Sequence, residues 1–488
     1  MTSPGKIALA AAVVAVGLIS AGCAAVGPDY QAPSPQTPPA WRATMTGGLE
    51  AATPQAQALA QWWARFDDPL LTELIGQSLA GNLDIKTARA KVRQARAARG
   101  LSQAALWPEL SADGAFESRR ASENSRSGSG GQYDLYSGGF DAGWEIDIFG
   151  GARRGVEAAQ ADLEAAQADL RDVWVSICAE TARNYVEART YQARLAAMRA
   201  NLEAQTKTHA LIAARRAAGL SNELALRQAG YNLESSRAQL PGLQAGLESS
   251  LNSLAILAGR TPGSLHQRLA EVRPIPQCPP RVAVGVPAEA LRQRPDIRAA
   301  ERRLAAQTAR VGVATAALYP KLRLLGSIGL ESVSSGELFS AASQAWGIGP
   351  AVSWKIFDAG AVRQNIAIQS SLQEQALLAY QKAVLAALAE VEDNLTAYAR
   401  EQLRAQSLAK AVEEARRAEA IAQDQYRAGL VDFNNVLEAQ RSLLQLQDQL
   451  AQSRGAVTSD LITVYKALGG GWNALAEDQR TTAKNPRR

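Results

Sequence analysis

Two stretches of this chain are almost free of glycine and proline: about Arg153 to Arg216, and again Ala361 to Ala428. Glycine weakens a helix through backbone freedom and proline through its missing N–H, so a long stretch without them lets one helix run on. The second stretch, about 68 residues, would reach ~100 Å as a single helix. No compact globule needs such an element. Within it, Leu377, Val384, Leu388, Val391, Leu395 and Tyr398 follow the alternating three- and four-residue spacing of a coiled-coil seam. Ala386, Ala387 and Ala389 beside the seam are small, which lets neighbouring backbones come close. Aromatic residues make up only 6% of the chain, which suits long helices packed side by side better than a thick core.

The two stretches belong to a duplication. Ala104-Ala105-Leu106-Trp107-Pro108-Glu109-Leu110 returns as Ala316-Ala317-Leu318-Tyr319-Pro320-Lys321-Leu322. Trp144-Glu145-Ile146 returns as Trp354-Lys355-Ile356, and Leu83-Asp84-Ile85 matches Pro295-Asp296-Ile297. Arg216-Ala217-Ala218-Gly219-Leu220 returns as Arg427-Ala428-Gly429-Leu430. The offset stays near ~210 residues, too long for a solenoid repeat. Repeat 1 is expected over 62–280, with a long helix over about 152–217. Repeat 2 is expected over 281–470, with a long helix over about 359–428. Each long helix is expected to end at a glycine, Gly219 or Gly429, followed by a return helix capped by Ser221 or Asn222 in the first copy and by Asp432 or Asn434 in the second. Two helical hairpins result, with tips ~100 Å from their roots. Pro241-Gly242 predicts a kink or break in the first return helix.

Between the helices the period changes to two. Phe140, Ala142, Trp144, Ile146 and Ile148 share one parity, and Asp141, Gly143, Glu145 and Asp147 the other. The same alternation sets Leu110, Ala112, Gly114 and Phe116 against Glu109, Ser111, Asp113 and Glu117. In the second copy Leu322, Leu324, Gly326, Ile328 and Leu330 oppose Lys321, Arg323, Ser327 and Glu331, with Leu325 as an exception. Trp346, Ile348, Pro350, Val352, Trp354 and Ile356 then oppose Gly347, Gly349, Ala351, Ser353 and Lys355. Strands are therefore expected over about 107–118, 134–149, 319–331 and 345–357, each long enough to cross a bilayer when tilted. A soluble sandwich with one buried face would alternate in the same way, but no further strands are at hand to pair with. Four strands cannot close a barrel, and lipid does not tolerate an open edge. Several copies must therefore contribute to one barrel.

The start of the chain carries an address. Lys6 precedes an apolar run from Ile7 to Ile19, followed by small residues up to Cys23. The run is shorter than the roughly 20 residues that span a bilayer, and 1–22 is taken as a cleaved export signal. Ser20-Ala21-Gly22-Cys23 resembles a bacterial lipobox, which makes Cys23 the lipidated mature N-terminus. Ala24 in place of aspartate agrees with delivery to the outer membrane. The Pro-, Gln- and Thr-rich segment 23–61 is expected as an extended strap, and 471–488 as a C-terminal tail.

Composition excludes other classes. A net charge of +5 without a basic cluster interleaved with aromatics does not point to nucleic acid. Three cysteines without a CxxC pair, and two distant histidines, His209 and His266, give no metal set. No phosphate-binding loop or nucleophile elbow is present, so neither an enzyme nor a cofactor is expected. Cys178 and Cys278 could pair in an oxidising compartment, although one lies mid-helix and the other in a proline-rich loop. Arg89, Arg93 and Arg96 form a basic stripe expected to be a solvated helix face.

Several segments then resemble a known family. They are Cys23-Ala24-Ala25-Val26-Gly27-Pro28-Asp29-Tyr30, the Leu-Trp-Pro-Glu-Leu and Leu-Tyr-Pro-Lys-Leu strand starts, Tyr426-Arg427-Ala428-Gly429, Val436-Leu437-Glu438-Ala439-Gln440-Arg441-Ser442-Leu443, and Ala467-Leu468-Gly469-Gly470-Gly471-Trp472. Together they resemble the TolC-like outer membrane factors, in the NodT lipoprotein branch, from Cys23 to Trp472. The resemblance implies an α+β membrane protein: a trimeric TolC-like α/β barrel with four transmembrane strands per chain, twelve in all. It adds long periplasmic coiled-coil hairpins and an equatorial region. It implies the outer-membrane channel of a tripartite efflux pump, a passive exit duct for small molecules. The implied partners are a homotrimer, a periplasmic adaptor (membrane fusion) protein, an inner-membrane pump of the resistance–nodulation–division (RND) type, and outer-membrane lipid.

On this reading Gly219, Leu220, Ser221, Gly429, Leu430 and Val431 form the periplasmic tip that meets the adaptor. Asp432 is either a gate residue or a helix cap. Glu109, Asp113, Asp141, Glu145, Lys321, Arg323 and Lys355 face the lumen, where they either set a local field or simply pair across strands. Two alternatives stay open. One is an outer-membrane component of type I protein secretion, and the other a structural coiled-coil lipoprotein, which would not explain the alternating strands.

Overall fold

The structure, a computed structural model, describes residues 25–53, 56–120, 122, 124 and 131–472. The export signal, Cys23, most of the first strand-to-strand loop and the tail from 473 lie outside the described residues. Two compact units make up the chain. One contains the described part of Met1–Ser34 with Lys91–Gln167 and Ala299–Gln381; the other contains Pro35–Ala90, Ala168–Arg298 and the described part of Lys382–Arg488. The units therefore do not coincide with the sequence repeats. Each takes segments from both, because the long helices run through the boundary.

In chain order the main elements are α1 (Pro69–Gly81), α2 (Leu83–Ala104), β1 (Glu109–Arg120), β2 (Gln132–Ile146), α3 (Gly151–Ala217) and α4 (Glu223–Leu257). The second half adds α5 (Pro295–Ala316), β3 (Lys321–Ser332), β4 (Gln344–Ser353), α6 (Ala361–Arg427) and α7 (Phe433–Ala467). The duplication is visible in the lengths. α3 and α6 each have 67 residues, α4 and α7 each 35, and α2 and α5 each 22.

The long helices end as their glycines dictate. Gly219 has φ 73° and Gly429 φ 75°, the left-handed region that costs glycine nothing. Leu220 N–H donates to Arg215 O at 2.8 Å and Leu430 N–H to Gln425 O at 2.9 Å, closing each last turn. Asn222 caps α4 by accepting from Ala225 N–H at 2.8 Å. Asp432 occupies the same position before α7, but its side chain makes no capping bond. Of the kink or break expected at Pro241-Gly242, a break is absent. α4 is helical throughout, because Leu240, Leu243 and Leu247 pack on Leu195, Met198 and Leu444 on both sides of the proline.

Along α6 the seam residues Val384, Val391, Leu395 and Tyr398 are buried, and Leu377 and Leu388 are half-buried. Val391, Leu395 and Tyr398 join the largest core of the second unit, with Trp62, Leu71 and Ile75, Tyr185 and Val186 of α3, Leu254 of α4, and Leu461 and Tyr465 of α7. Cys178 and Cys278 are both free thiols, so the possible disulfide is absent. Burial pushes the Cys278 thiol up to about 11. The basic stripe of Arg89, Arg93 and Arg96 is exposed.

A charged cluster sits within the second unit. Asp172 of α3 faces Asp296, Arg294 and Lys466. Burial first, then the Asp296 charge, raise its carboxyl to about 6, against the pull of Arg294 and Lys466. The raised value means that the folded chain holds a proton that the unfolded chain releases near pH ~4. Stability therefore falls as pH climbs from about 4 through 6, and the loss is complete above that range. The thermal midpoint of the purified protein is expected to drop between pH ~4 and ~7. Asp172→Asn should remove part of that drop, with the remainder belonging to Asp460, which is also raised to about 6. An unchanged pH profile in the variant would contradict this assignment.

Candidate functional site

The four-stranded sheet is built from all four alternating segments, in the order β1-β2-β3-β4, and every neighbour is antiparallel. Directly opposed residues share a face, so the register decides whether the parities agree. They do. Leu110, Ala142, Gly326 and Ile348 form one cross-sheet row, and Ala112, Phe140, Ile328 and Trp346 another. This face is apolar and open, with Ile348 72% and Trp346 77% exposed.

The opposite face carries Glu109, Asp113, Asp141, Glu145, Lys321 and Arg323. Glu145 is ion-paired with Lys321 at 3.1 Å and lies 3.8 Å from Arg323. Leu325, the apolar exception, falls opposite Gly143 and Gly349 and uses the space they leave. On β4 every residue of the polar face is small: Ala345, Gly347, Gly349, Ala351 and Ser353.

The strand ends differ from expectation. β1 and β3 begin after Pro108 and Pro320, which lack the N–H that a ladder needs. β2 stops at Ile146 instead of about 149, and β4 at Ser353 instead of about 357. Lys355 is therefore not on a strand, and its expected place on the strand over 345–357 is corrected: it lies in the link to α6. At the strand roots, Trp144, near the end of β2, donates its indole N–H to Leu106 O, and Trp354, just after β4, donates to Leu318 O, each at 3.0 Å. A cleft of 1270 Å³ opens at the strand roots, lined by Glu109, Glu145, Asp147, Asp162, Arg310, Lys321 and Arg323.

Within the second unit the helix tips of both repeats pack together. Ile212, Ala225 and Ala229 meet Phe433, Val436 and Leu437, and Arg215 lies over the Tyr426 ring at 4.9 Å. Outside this small core Leu220 and Leu430 are exposed, Ser221 and Val431 are half-buried, and Asp432 is exposed. Among the described residues no His, Cys, Asp or Glu group could hold a metal. No described helix is long and apolar enough to cross a membrane.

Sequence reasoning missed Arg154. Its side chain is buried at 5% exposure. It donates to Val26 O at 3.2 Å and pairs with Asp29 at 2.6 Å. Val26 N–H donates to Phe149 O at 3.1 Å. Gly27, at φ 91°, lets the strap pass so close to Gly312 that a side chain there would collide with its Cα. Arg154 thus holds the start of the strap to the root of α3. The only sequence sign is a second arginine after Arg153, where the other repeat has Arg363 alone.

Comparison with known proteins follows the same geometry. A family model described as outer membrane efflux protein matches residues 74–260 and 286–470. Nodulation protein T of Rhizobium leguminosarum bv. trifolii is 31% identical over 467 residues, covering 94% of this chain and 97% of its own. The toluene efflux pump outer membrane protein TtgF of Pseudomonas putida is 30% identical over 481 residues, covering 97% and 98%. Among solved structures, the outer-membrane channel OprN superposes with a TM-score of 0.87 at 36% identity, over 92% of this chain and 99% of that one.

Arg154→Met removes a charged donor from the strap. Hydrogen bonds to charged groups contribute ~1.5–3 kcal/mol. Amide exchange at Val26 is accordingly expected to quicken by about tenfold or more in the variant. Unchanged protection would show that the strap is held elsewhere.

Proposed function

The chain belongs to the outer membrane efflux protein family, and on that premise we propose that it forms the outer-membrane channel of a tripartite efflux pump, a passive exit duct for small molecules. The observation that carries the proposal is the sheet: one open apolar face, one charged and small-residue face, and two edge strands without a partner among the described residues. An apolar outer face suits hydrocarbon, and the polar face suits a wet lumen. Backbone groups in lipid must all be paired, so copies of the chain close the ring, with three copies giving twelve strands. The lumen charges are Glu109, Asp113, Asp141, Glu145, Lys321 and Arg323, and their partial pairing keeps the wall polar without one strong sign.

As a passive duct the chain supplies no energy, and transport is driven by its partners. These are a periplasmic adaptor, met at the tips around Gly219, Leu220, Ser221, Gly429, Leu430 and Val431, and an inner-membrane pump of the RND class. Exposed Leu220 and Leu430 give the adaptor two apolar contacts for each chain. Lipid on Cys23 tethers the mature N-terminus to the membrane. Repeats 62–280 and 281–470 supply one hairpin each.

Asp432 serves as the gate. Its backbone carbonyl accepts from Asn435 N–H at the helix start, but its side chain makes no capping bond, which leaves the carboxylate available to the tip constriction, where symmetry copies it into an acidic ring. Asp432→Ala is expected to raise single-channel conductance in planar bilayers and to weaken block by divalent cations. Equal conductance and equal block would remove Asp432 from the gate.

Ile348→Arg tests the outward face. An arginine at the bilayer midplane costs ~2–4 kcal/mol, so the chain should be recovered in much smaller amount from outer-membrane fractions. Ser327→Arg, on the opposite face, should still assemble but conduct less. Normal assembly of the Ile348 variant together with failure of the Ser327 variant would reverse the assignment of faces.

A further inference from the structure

We infer that the two open sheet edges meet between copies of this chain in a register fixed by the internal repeat, with Lys355 of β4's extension ion-paired to the partner's Glu109. The inference rests on the proposal that several copies close one barrel, and adds how they join.

Inside the chain, the second strand of repeat 1 already meets the first strand of repeat 2. Trp144 pairs with Leu324, Glu145 with Arg323, and Ile146 with Leu322. The repeat makes Trp354-Lys355-Ile356 the counterpart of Trp144-Glu145-Ile146, and Leu110-Ser111-Ala112 the counterpart of Leu322-Arg323-Leu324. Local geometry agrees with both equivalences. The two indoles make the same bond, to Leu106 O and Leu318 O. The two hairpins end at matching pairs, Glu109 with Gly143 and Lys321 with Ser353.

The strand ends supply an independent sign. β2 runs past Gly143 to Ile146, and those last residues are the ones that β3 pairs. β4 stops at Ser353, the counterpart of Gly143, and leaves Trp354, Lys355 and Ile356 outside any ladder. Ile356 is 83% exposed. What is missing from β4 is what an adjoining first strand would order. The partner's β1, in the register that β3 takes on β2, brings Ala112, Ser111 and Leu110 opposite them. Ile356 then continues the apolar face beside the partner's Leu110.

Charge fits the same register. Lys321 and Glu145 bond within the chain at 3.1 Å. Their counterparts are Glu109 and Lys355, so both signs are exchanged and the attraction survives. Glu145 takes up Lys321 and Arg323, and, among the described residues, Lys355 acts inside the chain only on the Asp358 carboxylate, from beyond ion-pair distance.

Paired cysteines test the register in isolated outer membranes. Ser111→Cys with Lys355→Cys should oxidise to covalently linked oligomers, and neither single variant should. Ala115→Cys with Lys355→Cys lies about 13 Å out of register along the same face and should stay unlinked. In a protein that light scattering shows to be oligomeric, linkage at Ala115 or at neither site overturns the register and leaves the barrel reading standing. A monomeric wild-type protein overturns both.

Charge reversal tests the ion pair. Lys355→Glu and Glu109→Lys should each weaken the detergent-purified oligomer by about fivefold per contact. The double variant should recover most of that loss. A double variant as weak as the singles overturns the pair.

Discussion

Backbone hydrogen bonding at the edges of the sheet governs this protein. A strand in contact with hydrocarbon has no water to satisfy its N–H and C=O groups. Four antiparallel strands satisfy each other along three ladders and leave the outer edges of β1 and β4 without a partner among the described residues. In water such an edge would invite aggregation. In a membrane it demands closure, so assembly is part of the fold and not an addition to it. On the proposed assignment of faces, the small polar-face residues of β4 serve the same end, because a sheet that curls into a narrow barrel crowds its inner face.

The helices answer a different constraint. Two runs of 67 residues exist because nothing within them stops helix growth except at Gly219 and Gly429, where a left-handed residue closes each run. Their stability comes from seam contacts instead of propensity, as the burial of Val384, Val391 and Leu395 indicates. The same contacts carry α4 across Pro241. Packing on both sides of a proline outweighs one missing hydrogen bond, so of the kink or break that local sequence predicted there, the break is prevented by tertiary contacts.

Much of the sheet was legible before any coordinates. The alternation of side chains identified all four strands and both faces, including Leu325 as the exception. It placed the strand ends less well. Trp354 and Ile356 keep the parity, but parity is a property of side chains, and a ladder needs a neighbouring backbone. Lys355 was assigned to a strand that ends before it for the same reason. The cap at α7 went a similar way. Asp432 stands at the right position, yet its carboxylate does not turn back to the helix. Arg154 was invisible, since a buried arginine and a solvated one look alike until the atoms it binds are known, and its partners lie far away in sequence.

By itself, the sequence determined the duplication, the long helices with their glycine ends, the two faces of each strand, and the need for more than one chain. These follow from local rules: helix periodicity, strand parity, and the count of backbone groups left over. Tertiary structure alone decided the register that aligns four separate parities into one apolar face, the pairing of Glu145 with Lys321, the continuity of α4, and the fastening of the strap by Arg154. Each of those depends on which distant segments meet, and no local pattern encodes distance through space.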